Sequence, residues 1–217
     1  MKVRARHHVQ RIKDRASYNR EAAYAILDSA FLGHVGFCAD NQPFVIPMLY
    51  ARDGDTLLLH GSIASRLLKS VGAGIEACVS MTLVDGLVLA RSHFHHSTNY
   101  RSVVAFGRAR ALTDDAAKIA ALAHFVDAML PGRAAESRAP DRNELAATAV
   151  LRFDIVDISA KIRDGAAKDD KADVGLPYWA GVVPVESRYG PPLPSGDCNL
   201  AVPASVQRLF KAQRGSA

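Results

Sequence analysis

The sequence predicts an α+β, mainly β fold: a small antiparallel β-barrel with helices on its periphery. Three observations carry this. Short apolar stretches recur between residues 33 and 111 with turn residues between them, the rhythm of a meander. Asp53-Gly54 separates two of these stretches and is a strong two-residue hairpin signal. Residues 150–160 then alternate apolar and polar side chains, as a half-buried strand that closes a sheet does.

Residues 1–20 read as irregular. Helical spacing of Ala22, Ala23, Ile26, Leu27 and Ala30 predicts a helix over 20–30, with Asn19 as N-cap and Glu21 in the first turn. Strands follow over 33–38, 43–51 and 56–60, the first two joined by a turn at 39–42. Gly61 and Ser62 end the third strand, and a short helix over 63–71 is stopped by Gly72 and Gly74. Residues 75–83 read as a strand, Asp85-Gly86 as a second turn, and 87–90 as a further apolar run. A long strand spans 100–111, with Gly107 marking a bulge. Thr113-Asp-Asp-Ala opens a helix that runs to Met129, with Ile119, Leu122, Phe125, Val126 and Met129 on one side, and Pro131-Gly132 ends it. A short helix is expected over 143–149. Beyond Lys168 the chain is a loop-rich tail holding Asp169, Asp170, Asp173, several prolines and the only Trp. The resulting division is an arm (1–19), a barrel domain (20–165) and a tail packing on the barrel (166–217).

A chain of 217 residues, 49% hydrophobic and 23% charged, suits one soluble domain or one domain plus an appendage. No apolar run approaches the roughly 20 residues that cross a bilayer, and no apolar segment of a signal peptide follows the basic start, so a cytoplasmic location is the expectation. Cys38, Cys78 and Cys198 are odd in number and widely spaced, which argues against a disulfide framework or a zinc knuckle. The net charge of +5 is concentrated: residues 1–20 hold seven Lys/Arg against Asp14 alone, and the remainder is close to neutral. That distribution argues against a dedicated nucleic-acid binder and reads as a solvated or subunit-wrapping arm.

The stretch from His60 to Lys69 concentrates chemistry. Ser62, Ser65 and Arg66 fall where a helix begins, and Lys69 lies one turn after Ser65. A helix start has free N–H groups and a partial positive charge, so two hydroxyls, an Arg and a Lys there are the residue types of a phosphate cradle. They equally suit an N-cap serine with solvated bases on an ordinary helix. P-loop spacing is absent.

His93, His95 and His96 sit in the densest polar cluster, residues 92–102. On a strand His93 and His95 would share a face and His96 would point away, and no Asp or Glu lies between Arg91 and Arg110 to complete a divalent site. No metal is therefore expected there; hydrogen-bonded loop histidines are. Tyr100, Arg101 and Ser102 introduce the long strand, where polar groups can face a ligand. Lys161 and Arg163 form a third basic cluster, which also reads as a solvated strand end. Trp179, beside Tyr178 and among prolines, is either a packing anchor or a cover for a planar ligand. Nucleophile-elbow and Gly-x-Gly-x-x-Gly patterns are absent.

Eight strings in order carry a resemblance: Tyr-Asn-Arg-Glu-Ala-Ala-Tyr-Ala-Ile-Leu-Asp (18–28), His-Val-Gly-Phe (34–37), Val-Ile-Pro-Met-Leu-Tyr-Ala (45–51), Leu-His-Gly-Ser-Ile-Ala-Ser-Arg (59–66), Phe-His-His-Ser-Thr-Asn-Tyr-Arg-Ser-Val-Val (94–104), Phe-Gly-Arg-Ala (106–109), Ser-Ala-Lys-Ile-Arg-Asp-Gly (159–165) and Trp-Ala-Gly-Val-Val-Pro (179–184). Together they resemble the pyridoxamine 5′-phosphate oxidase-like, FMN-binding split-barrel superfamily, and within it the flavin-nucleotide-binding branch that includes nitroimidazole-resistance-type proteins.

The resemblance implies a six-stranded antiparallel split β-barrel that forms a homodimer, with FMN in clefts between subunits. Carried over by position, Pro47, Met48, Leu49 and Tyr50 lie along the flavin ring. His60 and Gly61 flank the ribityl chain, and Ser62, Ser65 and Arg66 hold the phosphate. Lys69 is carried over with them, although relatives often place their lysine directly after the arginine, where this chain has Leu67. Arg101 and Ser102 reach the cofactor from one subunit's strand, and Lys161, Arg163 and Trp179 lie where family tails close over it.

The function so implied is an FMN-dependent oxidoreductase passing hydride or electrons through flavin N5 to a small organic acceptor, with NAD(P)H or a reductase as donor. No catalytic acid or base is assigned; His34, His95 and Tyr100 are the candidates. The alternatives are a haem-binding member of the same fold with a histidine as axial ligand, and a non-catalytic flavin-binding or sensing module. The arginine-rich C-terminal signature of pyridoxamine phosphate oxidases is missing after Trp179, so vitamin B6 oxidation is not implied.

Overall fold

Nine antiparallel strands form one sheet in the computed structural model, which describes residues 6–214. In chain order the elements are β1 (Ala16–Ser17), α1 (Arg20–Asp28), β2 (Leu32–Ala39), β3 (Gln42–Leu49), β4 (Ala51–Asp53), β5 (Thr56–Ser62), α2 (Arg66–Gly72), β6 (Glu76–Leu89), β7 (Ser97–Ala111), α3 (Asp115–Met129), α4 (Arg142–Ala147), β8 (Thr148–Arg163), β9 (Gly181–Pro184) and α5 (Ala204–Arg214). The strand order is β3-β2-β6-β7-β8-β5-β4, with β1 added to β8 and β9 to β6. No ladder among the described residues joins β3 to β4, so hydrogen bonding leaves the sheet open, and its nine strands exceed the six expected. The extra strands β1 and β9 come from the arm and tail, which read as irregular in sequence.

Local chemistry accounts for several elements. The Asn19 side chain accepts from the Glu21 and Ala22 amides at 2.7 and 3.3 Å, which starts α1 where the sequence puts it. Asp40 and Asn41 both have positive φ (50° and 58°), the backbone of a two-residue hairpin turn between β2 and β3. Gly54, also at positive φ, turns β4 into β5. At Gly107 the β7–β8 register shifts by one residue, and a Cβ there would lie 1.9 Å from the Asp154 carbonyl oxygen. Only glycine allows that approach.

Other expectations change. The strand over 43–51 is two strands, because the Tyr50 amide donates to Phe31 O at 2.9 Å and its ring turns into the core. β5 runs through Ser62, two residues past the strand end expected at His60. Asp85-Gly86 is a bulge within a continuous β6 rather than a turn. Asp85 O there accepts the Val185 amide, which leaves β9, and the Asp85 carboxylate meets β7. α3 buries Lys118, Ala121 and Phe125, so its inner face is rotated from the predicted stripe and Met129 is exposed.

One face of the sheet curls around the main core, with Val35, Val79, Met81, Val103, Leu57, Leu59 and Phe153 packed against Leu27 of α1 and Leu67 of α2. A smaller cluster joins Leu58 and Val150 to Phe125 of α3. The arm folds back on the sheet's other face: Arg6 reaches Glu76 and Asp157 at 3.0 Å each and lies over the Phe106 ring. Lys2 and Arg4 lie outside the described residues. Among the described residues no helix is long and apolar enough to cross a membrane.

Candidate functional site

A cationic corner forms where β5 passes into α2. Ser65 caps the helix by accepting from the Leu68 amide at 3.5 Å, and Ser62 Oγ accepts from the Ala64 amide at 3.2 Å. Both hydroxyl oxygens thus shape the loop as acceptors, which leaves each O–H as a donor. Arg66 and Lys69 are exposed, and among the described residues neither has a carboxylate partner. The Arg66 guanidinium lies 5.1 Å over the Phe44 ring, which ties this corner to the free edge strand β3. Gly61 is small for packing, since a Cβ there would lie 3.1 Å from Leu68.

Strand alternation splits the other candidates between faces. On β3, Phe44, Ile46 and Met48 turn toward the core while Val45 (69% exposed), Pro47 and Leu49 turn outward. Tyr50 is buried, with its hydroxyl donating to Leu27 O at 2.7 Å, and burial pushes its phenol well above the ordinary range. The structure therefore makes Tyr50 a core anchor under α1 rather than part of a ligand wall. His60 packs edge-on against Phe125 at 4.3 Å, beneath α3, with Nδ1 buried and without a partner among the described residues. Burial lowers its pKa.

Arg101 and Ser102 face opposite sides of β7. Arg101 holds Asp85 through two hydrogen bonds, and that pairing raises its pKa. Ser102 donates to Lys161 O at 3.2 Å. Arg163 is buried and donates to Asn99 Oδ1 and to the Gly165 and Ala166 carbonyls, the latter two at 3.1 Å. Desolvation lowers its pKa, and its role is to pin the chain where the tail leaves β8. Lys161 is half-buried on the same strand. Trp179 is 65% exposed, its ring beside Gly181 at the start of β9.

Of the catalytic candidates, His34 is exposed on β2 opposite Pro47, Tyr100 is half-buried on β7 opposite Val84, and His95 Nε2 is 3.2 Å from Asp170. Among the described residues no group of three or more His, Cys, Asp or Glu side chains is arranged to hold a metal ion. Two features escaped the sequence reading. Arg91 binds Asp169 through its amide (2.7 Å) and Nη1 (2.6 Å), which lowers the Asp169 pKa and latches the tail to the β6–β7 loop. Phe94, in that loop, is 89% exposed. The first has no local signal, because its partners are 78 residues apart. An aromatic inside a run of histidines is a usable signal for the second.

Fold and site together define a mainly β, open antiparallel sheet with a cationic helix corner beside its free edge strand. Residues 19–162 match the family described as pyridoxamine 5′-phosphate oxidase, and the chain belongs to that family. No curated protein matches the sequence. Among solved structures, a flavocytochrome from Azotobacter vinelandii is 38% identical at a TM-score of 0.88, with 94% of this chain and 96% of that one covered. An FAD- and haem-binding protein from Mycobacterium smegmatis is likewise 38% identical, at 0.86, with 90% and 97% covered. A candidate 5-nitroimidazole antibiotic resistance protein from Bacteroides thetaiotaomicron, 18% identical at 0.56 with 68% and 86% covered, shares the fold.

Proposed function

We propose that this chain is a flavin-binding redox protein that also carries haem and passes electrons between the two groups. The observation that carries the reading is the likeness, over nearly the whole chain, to a flavocytochrome at 38% identity. The residues present fit the phosphate end of a flavin nucleotide: Arg66 and Lys69, beside edge strand β3, offer positive charge that no carboxylate among the described residues neutralises. FAD is the first flavin to test, because the M. smegmatis neighbour binds it, with FMN beside it. A bound flavin supplies one- and two-electron chemistry and a haem supplies single-electron chemistry; the protein contributes position and electrostatics.

A second copy of the chain completes the site in this reading. Leu32, Val45 and Leu49 are exposed together on the β2–β3 face, where Leu32 pairs with Leu49. Purified protein should run at the mass of a dimer and show both flavin bands and a Soret band, or acquire them when FAD and hemin are added. Anaerobic reduction of the flavin should then reduce the haem. A colourless protein that takes up neither group overturns the proposal, and flavin uptake without redox response leaves a binding module instead.

A further inference from the structure

We propose that His96 is the axial haem ligand, its Nε2 lone pair binding the iron, in a site built by the β6–β7 loop and the tail over residues 168–179. This rests on the flavin-and-haem reading above. The first argument is the state of the ring. His96 Nδ1 lies 2.8 Å from Ser92 O, and a carbonyl only accepts, so Nδ1 carries the proton and the neutral ring keeps its lone pair on Nε2. A ring whose second nitrogen donates to a backbone carbonyl is the arrangement in which histidines ligate metals, because it fixes tautomer and orientation. No described side chain takes Nε2.

The other seven histidines fit less well. His95 Nε2 is engaged by Asp170, and His60 is enclosed by Phe125. His124 binds Arg52 O through Nε2 and borders a cleft of about 260 Å³, smaller than the roughly 300–1,000 Å³ of ordinary ligand pockets. His7 lies 3.3 Å from Asp157, and His8 stacks on Tyr18. His34 and His93 are exposed, and among the described residues neither has an anchored N–H.

The surroundings suit a planar macrocycle with two carboxylates. Val88 pairs with Ser97, directly after His96, and Leu89 pairs with Gly181, two residues from Trp179, so the loop and the tail lie at one corner of the sheet. Phe94, Tyr178 (61% exposed) and Trp179 turn large faces to solvent there. Asp169 on Arg91 and Asp170 on His95 fasten the tail to the loop. They bring with them Lys168 and Lys171, exposed and without carboxylate partners among the described residues, as counter-charges for propionates. Arg91 Nε and Ser92 Oγ, in the same loop, are buried polar atoms without a hydrogen-bond partner among the described residues.

The test is titration of hemin into cofactor-free wild-type protein and into the variants His96→Ala, His96→Gln, His93→Ala and His34→Ala, read by the Soret band and by ferric electron paramagnetic resonance. Wild type, His93→Ala and His34→Ala should give one nitrogen-ligated spectrum. His96→Ala should lose it and bind at least about tenfold more weakly, with free imidazole restoring the spectrum. His96→Gln keeps a donor for Ser92 O and should fail like the alanine variant, which separates loss of the iron bond from loss of the loop contact. If His96→Ala retains the wild-type spectrum, or another variant loses it instead, the assignment is overturned while the haem reading stands. If wild type takes up no hemin, the haem reading itself is overturned.

Discussion

Arg101 grips Asp85 across the β6 bulge, Nε to Oδ2 at 2.9 Å and Nη2 to Oδ1 at 2.7 Å. The pair commits the Arg101 guanidinium to a carboxylate, whereas among the described residues Arg66 and Lys69 at the start of α2 have no carboxylate partner.

The consequence is an ordering of two substitutions. Arg66→Ala should weaken flavin binding by about 1.5–3 kcal/mol, the scale of a charge-assisted hydrogen bond. Arg101→Ala should change it by less than about 1 kcal/mol, as expected for loss of a half-exposed ion pair. Fluorescence titration of both variants with FAD and FMN decides the matter; a reversed order would move the flavin from α2 to β7.

Tyr50→Phe removes only the hydroxyl that donates to Leu27 O. That carbonyl keeps a longer bond from the Ala30 amide at 3.3 Å, so the cost should be about 1 kcal/mol. Thermal melting should show a drop of a few degrees, with flavin affinity unchanged because the ring is in the core.

Gly107→Ala should be far more damaging. The added methyl meets Asp154 O of the neighbouring strand, a backbone atom with no rotamer to relieve the clash. A loss of at least about 2–3 kcal/mol in chemical denaturation is expected. A near-neutral result would mean that the register shift between β7 and β8 is absent in solution.

His60 gives a signed pH dependence. Burial lowers its pKa in the folded protein, so the unfolded chain binds the proton more readily. Stability from this group is complete above the ordinary imidazole value of about 6.5 and falls as the pH drops from there toward the folded value. His60→Leu should flatten that acid limb of a denaturation-versus-pH curve. An unchanged slope would assign the acid sensitivity to other groups.

Sequence chemistry reached as far as local interactions did. Asn19 starting α1, Asp53-Gly54 turning a hairpin and Gly107 marking a bulge are decided by side chains within a few residues or by the absence of one, and the structure has all three. The basic corner at Ser65 and Arg66 was legible for the same reason: it lies on one turn of chain.

The rest depended on partners remote in sequence. Asp85-Gly86 has the composition of a turn, yet Arg101 and Val185 hold Asp85 in a bulge. Arg163 reads as a solvated base, but Asn99 and two carbonyls make its burial tolerable. Arg101 and Ser102 are neighbours in the chain and opposites in the sheet. By itself the sequence determined the strand-rich class and the cationic helix start, because alternation, turn chemistry and caps are short-range, and its ordered strings carried the resemblance to the family that matches residues 19–162. Tertiary structure alone decided which of the candidate residues share a surface, because burial and charge pairing are set by whichever strand comes to lie alongside.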